Sequence, residues 1–155
     1  MAVPRVSQFF GSANLPAPAN APAPIVSSNA SPGSFAGVST TLIHSHNMGV
    51  VKAGEVHLVT FSFSGSKGGT SGATRYVVFF NAGNTATAVM FNNASLATYH
   101  DANAVTLGNL EEFTISVLVR VTADGTLAVD LGGDSDGSTT SYGTDDVQAA
   151  SVRLR

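Results

Sequence analysis

All six prolines of this 155-residue chain lie between Pro4 and Pro32, and none follows. Proline holds φ near about −65°, lacks the amide N–H that a sheet ladder needs, and biases the residue before it away from helix. This distribution divides the chain into residues 1–36 and residues 37–155. In the first region Pro16-Ala17-Pro18 and Ala21-Pro22-Ala23-Pro24 favour extended, polyproline-like backbone. Its only charged side chain is Arg5. Pro/Ala-rich termini commonly serve as solvated linkers. Phe9, Phe10, Leu15, Ile25, Val26 and Phe35 argue for more, because a pure spacer needs no apolar anchors. The expectation is an extended N-terminal arm that binds a partner through those six side chains. Fully extended, such an arm reaches roughly 110 Å.

From residue 37 onward the apolar pattern has period two. His57, Val59, Phe61 and Phe63 fall on one face of a strand at Glu55–Ser64, with Thr60, Ser62 and Ser64 on the other. Phe113, Ile115, Val117, Val119 and Val121 alternate in the same way with Thr114, Ser116, Arg120 and Thr122. That alternation marks half-buried antiparallel strands. Tyr76–Phe80 is a continuous apolar run, as expected of a strand covered on both faces. Thr40–Met48, Thr87–Phe91, Thr126–Leu131 and Val147–Leu154 are further candidates. Asp124-Gly125, between two alternating segments, reads as a hairpin turn, and Ala94–Ala104 as a short turn. The predicted fold is all-β: an antiparallel β-sandwich of jelly-roll type over 37–155, preceded by the arm.

Charged residues make up 11% of the chain, with a net charge of −3, against about 25% in typical soluble domains. Little repulsion then keeps copies apart, and a surface of Ser, Thr, Asn, Gly and Ala suits a subunit of an assembly. With no cysteine, disulfides, zinc-thiolate sites and cysteine nucleophiles are excluded. No apolar run approaches the roughly 20 residues of a membrane span. Met1–Phe10 lacks the basic-then-apolar pattern of a secretory signal. Seven basic residues against ten acidic ones form no stripe for nucleic acid.

No catalytic residues are predicted. His44-Ser45-His46 places two imidazoles on one side of a strand, as some β-barrel metal sites do. A cupin site does not fit: Val50 and Val51 stand where its glutamate would fall, and the domain has no proline for the second cupin motif. His44 and His46 are instead expected at a subunit interface or at the core edge beside Leu42 and Met48, with no metal and no cofactor. Asp134-Ser135-Asp136-Gly137 resembles the start of a calcium loop, which makes Asp134 and Asp136 a weak calcium candidate beside the simpler reading as a solvated turn. Gly65-Ser66-Lys67-Gly68-Gly69-Thr70 lacks the spacing of a phosphate loop.

Val119-Arg-Val-Thr-Ala-Asp-Gly-Thr-Leu127, followed by Ala149-Ala-Ser-Val-Arg-Leu-Arg155, resembles the closing strands of small jelly-roll virion proteins of tailed bacteriophages: head decoration, head-fibre and tail-associated subunits. The resemblance implies a homotrimer made in the host cytoplasm and carried on the outer surface of a capsid. Its partners would be other copies of itself and a major capsid or other virion protein, with neither nucleic acid nor membrane. The role expected is capsid decoration, or cement. A tail or fibre-base component that binds a host receptor or glycan is the alternative, and Tyr99, His100 and Tyr142 would be its contact residues.

Overall fold

The computed structural model describes residues 23–30, 33–35, 39–67, 74–90, 96–101, 110–135 and 142–155. Among them there is no helix. The strands are β1 (Ile25–Asn29), β2 (Gly33–Phe35), β3 (Thr41–Val51), β4 (Val56–Lys67), β5 (Thr74–Phe80), β6 (Thr87–Met90), β7 (Leu96–Asp101), β8 (Leu110–Ala123), β9 (Gly125–Ser135) and β10 (Tyr142–Arg153). One sheet runs β1-β10-β4-β8-β6, with β2 also on β10; the other runs β3-β9-β5-β7. All pairings are antiparallel.

Setting aside the short β2 and β6, the pairing nests: β1 with β10, β3 with β9, β4 with β8, and β5 with β7. First meets last and the innermost two meet each other, which is the closure of an eight-stranded jelly roll. The expected fold class is the observed one. Among the described residues, sheet pairing begins at Ile25, inside the stretch the sequence assigns to the arm. Ile25–Asn29 is the first strand of the roll, and Gly33–Phe35 lies against the start of β10.

The core forms where the inner faces meet. Val59, Phe61 and Phe63 of β4 and Ile115, Val117, Val119 and Val121 of β8 face Tyr76 and Val78 of β5 and Leu127, Val129 and Leu131 of β9, all buried. At one end the rings of Phe63, Tyr76 and Phe113 cluster, with centroids 4.6 to 5.3 Å apart. Each such pair adds about 1 kcal/mol beyond its burial.

Two local expectations are corrected. Asp124-Gly125 is no hairpin, because β8 belongs to the first sheet and β9 to the second. The pair turns a corner between sheets. Gly125 has φ 153°, and a Cβ there would fall against the backbone of Thr85 and Ala86. Asp124 accepts a hydrogen bond from the Ala53 amide at 2.8 Å and pairs with Lys52 at 2.9 Å, tying the β8–β9 corner to the β3–β4 corner. The turn expected across Ala94–Ala104 contains strand β7, whose side of β5 supplies the ladder that its own sequence does not advertise.

Candidate functional site

The outer face of the first sheet carries the candidate site, a groove bordered by β1, β10 and β4. Because register fixes which side chains lie abreast, the pairings define three rows across β1, β10, β4 and β8. Val152, Leu58 and Leu118 form an apolar row. Val26, Ala150, Thr60 and Ser116 form a mixed row, and Ser28, Gln148, Ser62 and Thr114 a polar one. None of these side chains is ionisable. Thr60 and Ser116 hydrogen-bond at 2.9 Å, and Ser62 and Thr114 lie 3.4 Å apart. Ala150, half-buried between the larger Val26 and Thr60, leaves a trough along β10. The result is a shallow groove of about 510 Å³ bordered by β1 and β4. Charged side chains stand off this centre: Arg120, Glu112 and Asp146 are exposed on its margins. Lys52–Asp124, Arg153–Glu55 and Arg75–Asp134 are paired elsewhere.

His44 and His46 turn inward, toward the core. His46 is fully buried and His44 nearly so, each with its ring edge-on to Phe61. Bulges in β3 between Leu42 and His44 and between Asn47 and Gly49 reset the alternation and aim both rings into the sandwich. There Ser27 of β1 bridges them, its Oγ lying 2.8 Å from His44 Nε2 and 2.7 Å from His46 Nδ1. Ser151 of β10 meets His46 Nε2 at 3.0 Å. Ser27 has one proton, so it donates to one imidazole and accepts from the other. Burial, then the neighbouring His44, pushes the His46 pKa down to about 4. Burial also lowers that of His44, against the opposing pull of the Asp130 carboxylate. The pair is therefore neutral at pH 7 and pins the first strand of the roll to β3.

Of the expected arm anchors, Ile25 and Val26 lie exposed on β1, Val26 at 73%. Phe35 closes β2 opposite Tyr142, while Phe9, Phe10 and Leu15 lie outside the described residues. Asp134 is buried, with one carboxylate oxygen taken by Arg75 at 2.8 Å and the other by Thr40 at 3.0 Å. Both oxygens of Asp134 are thus engaged within the protein, and Asp136 lies outside the described residues. Asp130 is likewise buried, accepting from Ser45 at 2.6 Å and Asn81 at 2.8 Å. Tyr99 and His100 fall on β7.

The groove was missed at the level of sequence, though its signal was present. Thr60 and Ser62, and Thr114 and Ser116, are the polar halves of the alternations that located the core. The partners of the histidines, Ser27 and Ser151, carry no signal of their own, because serine is common throughout the chain.

No family model and no curated protein sequence matches the chain. Solved structures do. The chain is similar to the VP2 protein of infectious bursal disease virus in a subviral particle, with a TM-score of 0.57, 14% identity and 84% of the chain covered. It is also similar to the D431N mutant of VP2 in derived T=1 particles, with a TM-score of 0.56, 12% identity and the same coverage. The T13 particle of that virus matches at a TM-score of 0.54 and 10% identity. The chain spans about a third of the length of these proteins, 31 to 33%. At such identity the likeness establishes a shared fold.

Proposed function

We propose that the chain is a non-enzymatic structural protein of a virus particle, a capsid decoration subunit that binds the outer surface of the major capsid lattice. The observation that carries this reading is the jelly-roll closure, matched over 84% of the chain by the VP2 protein of a virus particle. The uncharged centre of the sheet face supports it, since small hydroxyls and aliphatics can desolvate against protein without stranding a charge. Decoration, a trimeric state and attachment through the residues before β1 are the finer parts of the reading. They rest on the low charge of the chain and on its closing strands, which resemble those of phage virion proteins.

The test is reconstitution on capsids of the parent virus prepared without this chain. The purified chain should co-sediment with them and raise their disruption temperature by several degrees. A chain that stays in the supernatant at every concentration would overturn the decoration role.

A further inference from the structure

We propose that β1 is an acid-released strand: when His44 and His46 take up protons, Ile25–Asn29 leaves the sandwich while the rest of the roll stays folded. The first element of the device is the shared hydroxyl. Ser27 Oγ lies 2.8 Å from His44 Nε2 and 2.7 Å from His46 Nδ1, so the two nitrogens are no farther apart than the sum of those distances. With both rings neutral, the single Ser27 proton serves one ring and a lone pair serves the other. With both rings protonated, each of these nitrogens is a donor. The Ser27 proton then has no acceptor between them, and two cations face each other across one oxygen.

The second element is what faces the pair. Ser151 of β10 meets His46 Nε2 at 3.0 Å, and the Phe61 ring of β4 stands edge-on to both imidazoles. Neither carries a charge. Among the described residues, Asp130 of β9 is the carboxylate that pulls on His44, and its oxygens already accept from Ser45 and Asn81. His57 lies two residues along β4 from Val59, the pairing partner of Ser151; it is tied to Glu55 at 3.0 Å, and Glu55 to Arg153 at 2.9 Å. Burial lowers the pKa of both rings, that of His46 to about 4. A doubly protonated pair is relieved only when water reaches it.

The third element decides which strand yields. β4, β9 and β10 each pair on both sides within their sheets. β3 is 11 residues long and buries Ile43, Met48 and Val51 in the core. β1 is five residues long, places no side chain in that core, and leaves Ile25 and Val26 exposed. Its departure therefore sacrifices the least burial. β2 pairs separately with Tyr142–Thr144, so release need not extend past Asn29. What opens is the β10 edge from Val147 to Ser151, a row of unpaired amides and carbonyls. In the open form His46 titrates near about 6.5 and in the closed form near 4. Closure is thus favoured above 6.5, and opening gains as pH falls toward 4.

Amide hydrogen exchange of the isotope-labelled full chain, read residue by residue by NMR and referred to the unfolded-chain rate at each pH, separates local from global opening. Between pH 7 and pH 5 the protection of the hydrogen-bonded amides in Ile25–Asn29 should fall about 20-fold through His46 alone. At both pH values it should stay below that of Val59, Phe61, Val117 and Val119 in the central strands. His46→Gln should remove most of the fall. Protection of β1 that is the same at pH 7 and pH 5 would overturn the proposal. So would protection equal to that of the central strands, which would mean that β1 opens only with the whole domain, or a His46→Gln chain that keeps the full fall. The measurement involves no particle, so its outcome is independent of the decoration role.

Discussion

At the scale of single residues, the molecule is most sensitive where polar groups are buried. Ser27, His44, His46 and Ser151 form a chain of contacts inside the sandwich, and its energetics turn on protonation. In the unfolded chain a histidine titrates near 6.5; in the folded chain His46 does so near 4. Between those values the unfolded state binds more protons, so stability falls as pH drops from 6.5 toward 4 and is constant with respect to this group above 6.5. The loss amounts to roughly 3 kcal/mol across that window. Denaturant titrations at pH 7, 6, 5 and 4.5 should show the decline, and His46→Gln, which keeps hydrogen-bonding capacity without titrating there, should flatten it. Equal stability of the natural chain at pH 7 and 4.5 would refute this account. A second residue-scale expectation concerns Asp146, an exposed non-glycine at φ 46° beside the bulge in β10. Asp146→Gly should be neutral or stabilise by up to about 1 kcal/mol, and Asp146→Val should destabilise, because a β-branched side chain resists the left-handed region. Thermal melts of the two variants decide the sign.

At the scale of elements, the strands were legible and their partners were not. Val59, Phe61 and Phe63, and Ile115 through Val121, announced their inner faces through alternation, which is a local property. Asp124-Gly125 announced a turn, also local, but whether the next strand pairs back or crosses to the other sheet depends on β3, β4 and β5, far away in sequence. The histidine pair was correctly placed on one side of a strand, but which side faces the core depends on the second sheet and on the bulges in β3, which alternation alone does not reveal. The first strand was hidden by its proline-rich approach. Its five residues Ile-Val-Ser-Ser-Asn give only a short alternation, and Ser27 becomes informative only once His44 and His46 lie opposite. Two truncations follow from this placement. Removal of residues 1–22 leaves every described strand intact and should leave denaturant stability unchanged within about 0.5 kcal/mol. Removal of residues 1–36 strips β1 and β2 from β10 and takes Ser27 from both imidazoles, which should cost roughly 2–4 kcal/mol. Equal stability of the two truncated forms would mean that β1 is not an integral strand. Gly125→Ala at the sheet corner should be as damaging as the longer truncation, since its Cβ would meet main chain and no side chain can yield.

At the scale of the whole molecule, the jelly roll separates its polar chemistry by location. Among the described residues, ion pairs lie at the corners and on the second sheet or the end of β10, His44 and His46 lie inside, and the centre of the outer face of the first sheet is uncharged, with Arg120, Glu112 and Asp146 at its margins. A low-charge chain suits an environment where its exposed surface is covered, and repetition over a lattice lets modest contacts add. The most direct measurement of the proposed virion role is quantitative mass spectrometry of purified particles of the virus that would encode this chain. The account predicts this chain among the particle proteins at a copy number in fixed ratio to the major capsid protein, retained through density-gradient purification. Its absence from intact particles, with the chain recovered elsewhere in the infected cell, would contradict the structural role.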